Sequence, residues 1–185
     1  MYIKYKCKNY FRIFTHPARI WRAQNRAIMA ESIIRPAEPR DLDAVNDLLQ
    51  QVLTVHHNGR PDLFREIGKK YTDEELLDIF ANPETPVFVF DKDGSVLGYA
   101  FCALQHQSSG SLQSLTTLYV DDLCVDAKAR GQHIGKALFD HVKAYAREKG
   151  CHNITLHVWE CNPGARAFYA AMGLTPQYTS MELIC

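Results

Sequence analysis

What the chain lacks narrows it quickly. No apolar run approaches the roughly 20 residues that a membrane-spanning helix needs, so a membrane is not an expected partner. The six cysteines (Cys7, Cys102, Cys124, Cys151, Cys161, Cys185) include no CxxC pair and no zinc-like Cys/His spacing. A metal site is therefore not expected, and His56 and His57, as neighbours, would point apart. Several of the cysteines sit in apolar strand patterns where a thiol packs as a small hydrophobe, which suits a reduced, cytoplasmic protein. The GxxxxGK(S/T) phosphate loop is absent, as is the dinucleotide GxGxxG fingerprint. There is no internal repeat.

Acidic residues are missing from the first 30 positions. That segment holds Lys4, Lys6, Lys8, Arg12, Arg19, Arg22 and Arg26, while all 21 Asp and Glu fall from Glu31 onward. The formal net charge of zero thus joins a basic tail to an acidic remainder. Such a tail suits a targeting peptide, a nucleic-acid arm, or an extension upstream of a start at Met29. No good signal-peptide core follows the lysines, and nucleic acid is not the expected partner. Residues 31–185 form the expected single domain, with residues 1–30 as a basic, poorly ordered extension.

The positive signal is strongest around residue 130. An apolar strand through Leu123, Cys124 and Val125 runs into Arg130-Gly131-Gln132-His133-Ile134-Gly135-Lys136. A helix follows, with Ile134, Leu138, Val142, Tyr145 and Ala146 at spacings of three and four. A helix N-terminus carries unpaired N–H groups and partial positive charge, so a turn feeding it suits an anion. Gly131 and Gly135 remove Cβ atoms there, and Arg130 and Lys136 add charge. By spacing alone, this turn fits either an anion site or a simple chain reversal.

Elsewhere, Ile33-Ile34 reads as a short strand. A helix follows Pro39 through Leu42, Val45, Leu48, Leu49 and Val52, then a loop over 56–62 and a short helix near 63–67. Thr72 and Glu75 form a capping-box pattern. Strands are expected at 86–90, 96–104, 118–125, 152–158 and 178–184, with an Asp93-Gly94 hairpin turn between the first two. A helix is expected over 163–172. This β-α-α-β-β-β-α-β-α-β order suits an α/β fold, a mixed sheet with helices on both faces. An exposed terminal strand leaves a homodimer open.

Arg130 to Gly135 resembles the Gln/Arg-x-x-Gly-x-Gly/Ala pyrophosphate loop of the GNAT superfamily, the acetyl-CoA-dependent N-acetyltransferases. Asn162-Pro163-Gly164-Ala165-Arg166-Ala167-Phe168-Tyr169-Ala170-Ala171-Met172-Gly173-Leu174 resembles its N-x-x-A-x-x-F-Y-x-x-x-G-F/L signature. The family's central loop glycine is His133 here, a substitution that suits a negative φ with the N–H still facing the phosphate. His56-His57, Arg60-Pro61-Asp62 and Asp121-Asp122-Leu123-Cys124-Val125-Asp126 further resemble an uncharacterised bacterial subgroup.

The resemblance implies acetyl-CoA as co-substrate, with the pantetheine amides on Leu123, Cys124 and Val125 and the pyrophosphate on residues 130–136. The backbone N–H of Leu123 or Cys124 would face the thioester oxygen. Tyr169 would be the general acid for the leaving thiolate. Asn162 reads as a helix N-cap, with Pro163 at the first helical position, or as a pantetheine contact. Candidate bases are Asp121 and Asp122, placed on opposite faces by strand alternation, and Glu160. His56, His57, Arg60, Asp62 and Trp159 are candidates for the acceptor side. The implied reaction is direct transfer to a primary amine in a ternary complex, on a small molecule, a peptide N-terminus or a lysine. A non-catalytic acyl-CoA-binding module on the same fold is the alternative.

Overall fold

The computed structural model describes residues 32–111 and 113–184. The expectations for residues 1–30 lie outside the described residues. Strands β1 (Ser32–Pro36), β2 (Val87–Lys92), β3 (Ser95–Gln107), β4 (Leu115–Val125) and β5 (Asn153–Leu156) form one sheet in that order. The first four pair antiparallel, and β5 joins β4 in parallel. Helices α1 (Leu42–Gly59) and α2 (Asp73–Ala81) follow β1, while α3 (Ile134–Glu148) is the crossover between β4 and β5. Such a crossover is what parallel neighbours require. Helix α4 (Pro163–Ala171) follows β5.

Alternation along the strands divides the core into two layers. Val87, Val89, Tyr99, Phe101 and Cys124 pack with Val45, Leu48 and Leu49 of α1 and Leu76 of α2. Phe88, Ala100, Cys102, Leu118 and Val120 pack with Phe139 and Val142 of α3, and Phe90 with Ile134 and Leu138. The Thr72 capping box forms in both directions: Glu75 N–H donates to the Thr72 hydroxyl at 3.2 Å, and Thr72 N–H to the Glu75 carboxylate at 2.8 Å.

Gly98 on β3 sits tightly between β4 and α3. A Cβ there would lie 2.7 Å from the Cys124 carbonyl oxygen and 3.2 Å from Leu138 Cδ1. Gly98→Ala is therefore expected to cost about 1–3 kcal/mol, the usual range for overpacking a fixed site. Urea unfolding should show this as a lower midpoint with an unchanged slope.

Three expectations are corrected. Residues 56–59 are not loop: α1 runs to Gly59 and ends at Arg60, whose N–H donates to the His56 carbonyl at 2.8 Å. Pro61 keeps the preceding residue out of the helical region, so the helix stops there. Residues 63–67 form only a turn, with Leu63 and Phe64 N–H on the Arg60 carbonyl. Residues 178–184 form no strand. Two side-chain anchors hold this tail instead, Tyr178 on the His157 ring and Glu182 on Arg60. The terminal edge expected to offer a homodimer contact is thus absent among the described residues.

Candidate active site

The site is built on the end of β4. Parallel pairing with β5 stops at Val120↔Leu156, yet β4 continues to Val125. Leu123, Cys124 and Val125 remain paired with Ala100, Tyr99 and Gly98 on the β3 side. No β5 partner accompanies them on the other side. Amide groups on such an open edge suit an extended ligand bearing amides of its own.

The register of β4 slips within this stretch. Asp122 pairs with Phe101 and Val120 with Cys102, leaving Asp121 as the extra residue of a β-bulge. A bulge resets side-chain alternation. Asp121 and Asp122 consequently share one side, correcting their expected placement on opposite faces. Lys70 Nζ lies 2.8 Å from Asp121 Oδ2 and 3.8 Å from Asp122 Oδ2. The Tyr71 hydroxyl donates to Asp121 at 3.1 Å, and the buried Tyr99 hydroxyl donates to Asp122 at 3.1 Å.

The two carboxylates differ in exposure. The Asp122 side chain is only 11% exposed. Burial pushes its carboxyl above the usual carboxylate range, despite the pull of Lys70 and the Tyr99 hydrogen bond. Asp121 is more open, at 35% side-chain exposure, and is tied to Lys70. Glu160 is 84% exposed and pairs with Arg166. It stands apart from this cluster as a solvated surface carboxylate.

Tyr169 comes from α4, whose N-cap is Asn162: its carboxamide oxygen accepts from Ala165 N–H at 3.0 Å. Pro163 follows at the first helical position, where its missing N–H costs nothing. The Tyr169 and Phe168 rings meet Phe139 of α3 edge-on at 5.9 and 6.3 Å. Burial, then the charge of Asp122, then Cys102 raise the Tyr169 phenol above its ordinary value. It is firmly protonated at neutral pH.

The glycine-bearing turn bends as the sequence suggests but not through the backbone expected of His133. Gly131 has φ +78° and His133 φ +63°, both left-handed. The expected negative φ at His133 is thus corrected. His133 adopts a conformation that glycine takes freely and that costs a residue with a Cβ roughly 1–2 kcal/mol. Histidine is among the side chains found there more often than most.

Ala137 N–H makes a bond to the His133 carbonyl at the start of α3, so the N–H groups of Ile134, Gly135 and Lys136 precede it. A Cβ on Gly135 would meet Val125 and Phe168 at 3.5 Å, an ordinary contact, so helix packing there tolerates alanine. Arg130 Nε donates to the Val125 carbonyl at 3.2 Å, closing the turn. Lys136 pairs with Asp140 one helical turn on, and its charge is directed along α3. Gln132 lies within the turn.

Cys124 is buried, with Sγ 3.6 Å from the Leu48 carbonyl oxygen. Burial pushes its thiol up to about 12. Such a group is no thiolate nucleophile at neutral pH.

The candidates on the acceptor side partly converge. Arg60 binds Asp62 in a forked pair, reaches Glu182 at 2.9 Å, and lies 5.9 Å from the centre of the Trp159 ring. Phe64 meets Trp159 edge-on at 5.4 Å and His56 at 4.9 Å. Burial, helped by the Lys70 charge, lowers the His56 imidazole. His57 turns its Nδ1 to the Phe64 carbonyl at 2.8 Å. Trp159 lies beyond the end of β5 rather than on the strand, since β5 stops at Leu156.

Sequence reasoning missed Lys70, Tyr71, Tyr99, Phe64 and Glu182. Lys70 and Tyr71 immediately precede the Thr72 cap, the one local signal that fixes where the chain re-enters a helix. Nothing local places them opposite residues 121 and 122, which lie about fifty positions downstream.

Relatives resemble this chain in sequence and in fold. An uncharacterized N-acetyltransferase of Methanocaldococcus jannaschii is 24% identical over 155 residues, covering 83% of this chain and 67% of that protein. A probable glucosamine 6-phosphate N-acetyltransferase of Oryza sativa subsp. japonica is 34% identical over 65 residues. That match spans only 35% of this chain and 37% of the rice protein. The crystal structure of a mutant BH1408 protein from Bacillus halodurans superimposes with a TM-score of 0.79 at 30% identity, covering 83% of this chain and 99% of that one. The model of the Acetyltransferase (GNAT) family matches residues 52–174, and this chain belongs to that family.

Proposed function

We propose that the domain formed by residues 31–185 transfers the acetyl group of acetyl-CoA directly to a primary amine within a ternary complex. The observation that supports this reading is the open end of β4: Asp122 lies at its bulge, and Leu123 packs in the same cluster as Tyr169, whose phenol the Asp122 charge helps to keep protonated. Residues 123–125 would pair with the pantetheine amides, and the N-terminal turn of α3, with Arg130 and residues 131–136, would hold the pyrophosphate. A backbone N–H at Leu123 or Cys124 would polarise the thioester carbonyl.

Asp122, directly or through water, would take a proton from the incoming ammonium. The neutral amine would attack the carbonyl carbon, and Tyr169 would protonate the departing sulfur. Asp121 and Lys70 would position Asp122, leaving Glu160 without a role in proton transfer. Asn162 supports the site as the cap that sets the start of α4. Asp121 and Asp122, held by the single ammonium of Lys70, favour a cationic amine. Similarity to an enzyme named for glucosamine 6-phosphate supports a small amine acceptor.

The test is release of free thiol from acetyl-CoA across primary amines, peptides and aminoglycosides. Acceptor-dependent release is the expected result. Binding of acetyl-CoA without turnover of any acceptor would favour a binding module instead.

Asp122→Asn is expected to lower kcat/KM by roughly 10²-fold, the usual scale for a general base. Its thermal midpoint at neutral pH should be no lower than that of the parent. The sign follows from the raised pKa of Asp122 in the folded state. Stability linked to this group is full below the unfolded carboxylate range and is lost as pH rises through the folded value. Asparagine stays neutral and escapes that loss. A large drop in midpoint would mean that the residue is structural.

A further inference from the structure

Lys70 lies in the segment between α1 and α2, and its ammonium already occupies the carboxylate end of the site. Its Nζ is 2.8 Å from Asp121 and 3.8 Å from Asp122, and it lies 5.2 Å from the centre of the Tyr71 ring. Three other lysines pair with different carboxylates: Lys69 with Asp73, and Lys136 and Lys143 with Asp140. The Lys70 side chain is 42% exposed, which leaves room for added atoms, and its four-carbon stem can swing the Nζ between the two carboxylates.

We propose that Lys70 is itself an acetyl acceptor, so that with no free amine present the enzyme acetylates its own Lys70 Nζ from acetyl-CoA. This rests on the transferase reading above, with Asp122 as base.

The step balances without a further reagent. Asp122 takes one proton from the ammonium and passes it to solvent. The neutral Nζ attacks the thioester carbonyl, a C–N bond forms and the C–S bond breaks. A second nitrogen proton is lost from the adduct, and the CoA sulfur leaves as a thiol, protonated through Tyr169. The products are an acetamide, CoA thiol and one proton.

The consequence is electrostatic. An acetylated lysine carries no charge, so Asp121 and Asp122 would lose their resident cation and stand open to an external ammonium. A free amine would compete with Lys70 for the same acetyl group, and a good acceptor should suppress the self-reaction.

Uncatalysed chemistry would give a different pattern. Burial acts to lower the Lys70 ammonium, but the charges of Asp122 and Asp121 outweigh it and leave the group raised, hence a poor spontaneous nucleophile. Lys69, 59% exposed in its side chain, is the neighbouring control.

The experiment incubates the full chain with acetyl-CoA and no amine, and follows intact mass and peptide maps over time. The amine panel is run in parallel. One acetyl group should appear on Lys70 at least roughly tenfold faster than on Lys69, as proximity would confer. The rate per molecule should not depend on protein concentration. Labelling should slow in Asp122→Asn and Tyr169→Phe, vanish in Lys70→Arg, and fall when a turned-over amine is added. Equal labelling of Lys69 and Lys70 overturns self-acetylation, as does an unmodified Lys70 while a panel amine is turned over. Either result leaves the transferase reading standing. No transfer to Lys70 or to any amine overturns both.

Discussion

Tyr169→Phe is expected to lower acceptor-dependent thiol release by about 10²–10³-fold, with the KM for acetyl-CoA changed little. The substitution keeps the ring, so the edge-on packing against Phe139 survives and α4 stays in place. What it removes is a hydroxyl made hard to ionise by burial and by the Asp122 charge. In the proposed mechanism this hydroxyl is the proton source for the departing thiolate, a transfer that its raised pKa makes dependent on local assistance. If kcat fell while the enzyme also bound acetyl-CoA far more weakly, Tyr169 would be a binding contact rather than the acid. An unchanged rate would leave solvent as the proton source.

Arg35→Met should destabilise the fold by about 3–5 kcal/mol, the cost of breaking a buried ion pair from one side. The Arg35 guanidinium binds Asp41 at 2.6 and 2.9 Å and Asp91 at 2.7 and 3.1 Å. Asp41 also accepts from Glu38 N–H, and Asp91 from Gly94 N–H, each at 2.8 Å. One cation therefore ties β1 to the turn that starts α1 and to the β2–β3 hairpin. Methionine would leave two buried carboxylates without their counter-ion.

The pH dependence gives a second readout. Burial pushes the Asp41 carboxyl up, but the Arg35 hydrogen bond and the Glu38 N–H outweigh it and hold the group below its ordinary value. A depressed carboxylate contributes stability above its unfolded pKa and loses it as pH falls through the folded one. The gap between parent and variant should thus be widest near neutrality and narrow on acidification. Urea unfolding at pH 7 and at about pH 4 measures it. A gap that does not change with pH would mean that lost packing, not charge, is responsible.

Much of the fold was legible because its signals are local. The apolar spacing of α3, the Thr72–Glu75 box, the Asp93-Gly94 turn and the Asn162-Pro163 start of α4 depend on residues within a turn or two of one another. The expected loop at 56–59 failed because residues that favour turns stay helical until Pro61 forces the chain out. The expected strand at 178–184 failed because a strand needs a partner, and the tail is instead anchored through Tyr178 and Glu182.

In the candidate site, main-chain features and side-chain relations parted company. The turn at 130–136, the strand end at 123–125 and the Phe-Tyr pair of α4 can be read from spacing and motif, since each is a short contiguous segment. The face presented by Asp122 could not be read. It depends on a bulge between β3 and β4, and a one-residue slip in pairing changes the side without changing the local pattern.

Local sequence carries the order of the main elements as far as α4, the amphipathic faces, the family motifs and the positions of the capped helix starts. Tertiary structure alone decided that Asp121 and Asp122 lie together, that Lys70 reaches them from the segment between α1 and α2, and that Glu160 stands apart with Arg166. It also decided that His133 takes a left-handed backbone. Periodicity and capping are written within a few residues of chain, whereas register, burial and the partner of a charge are set by segments that meet only after folding.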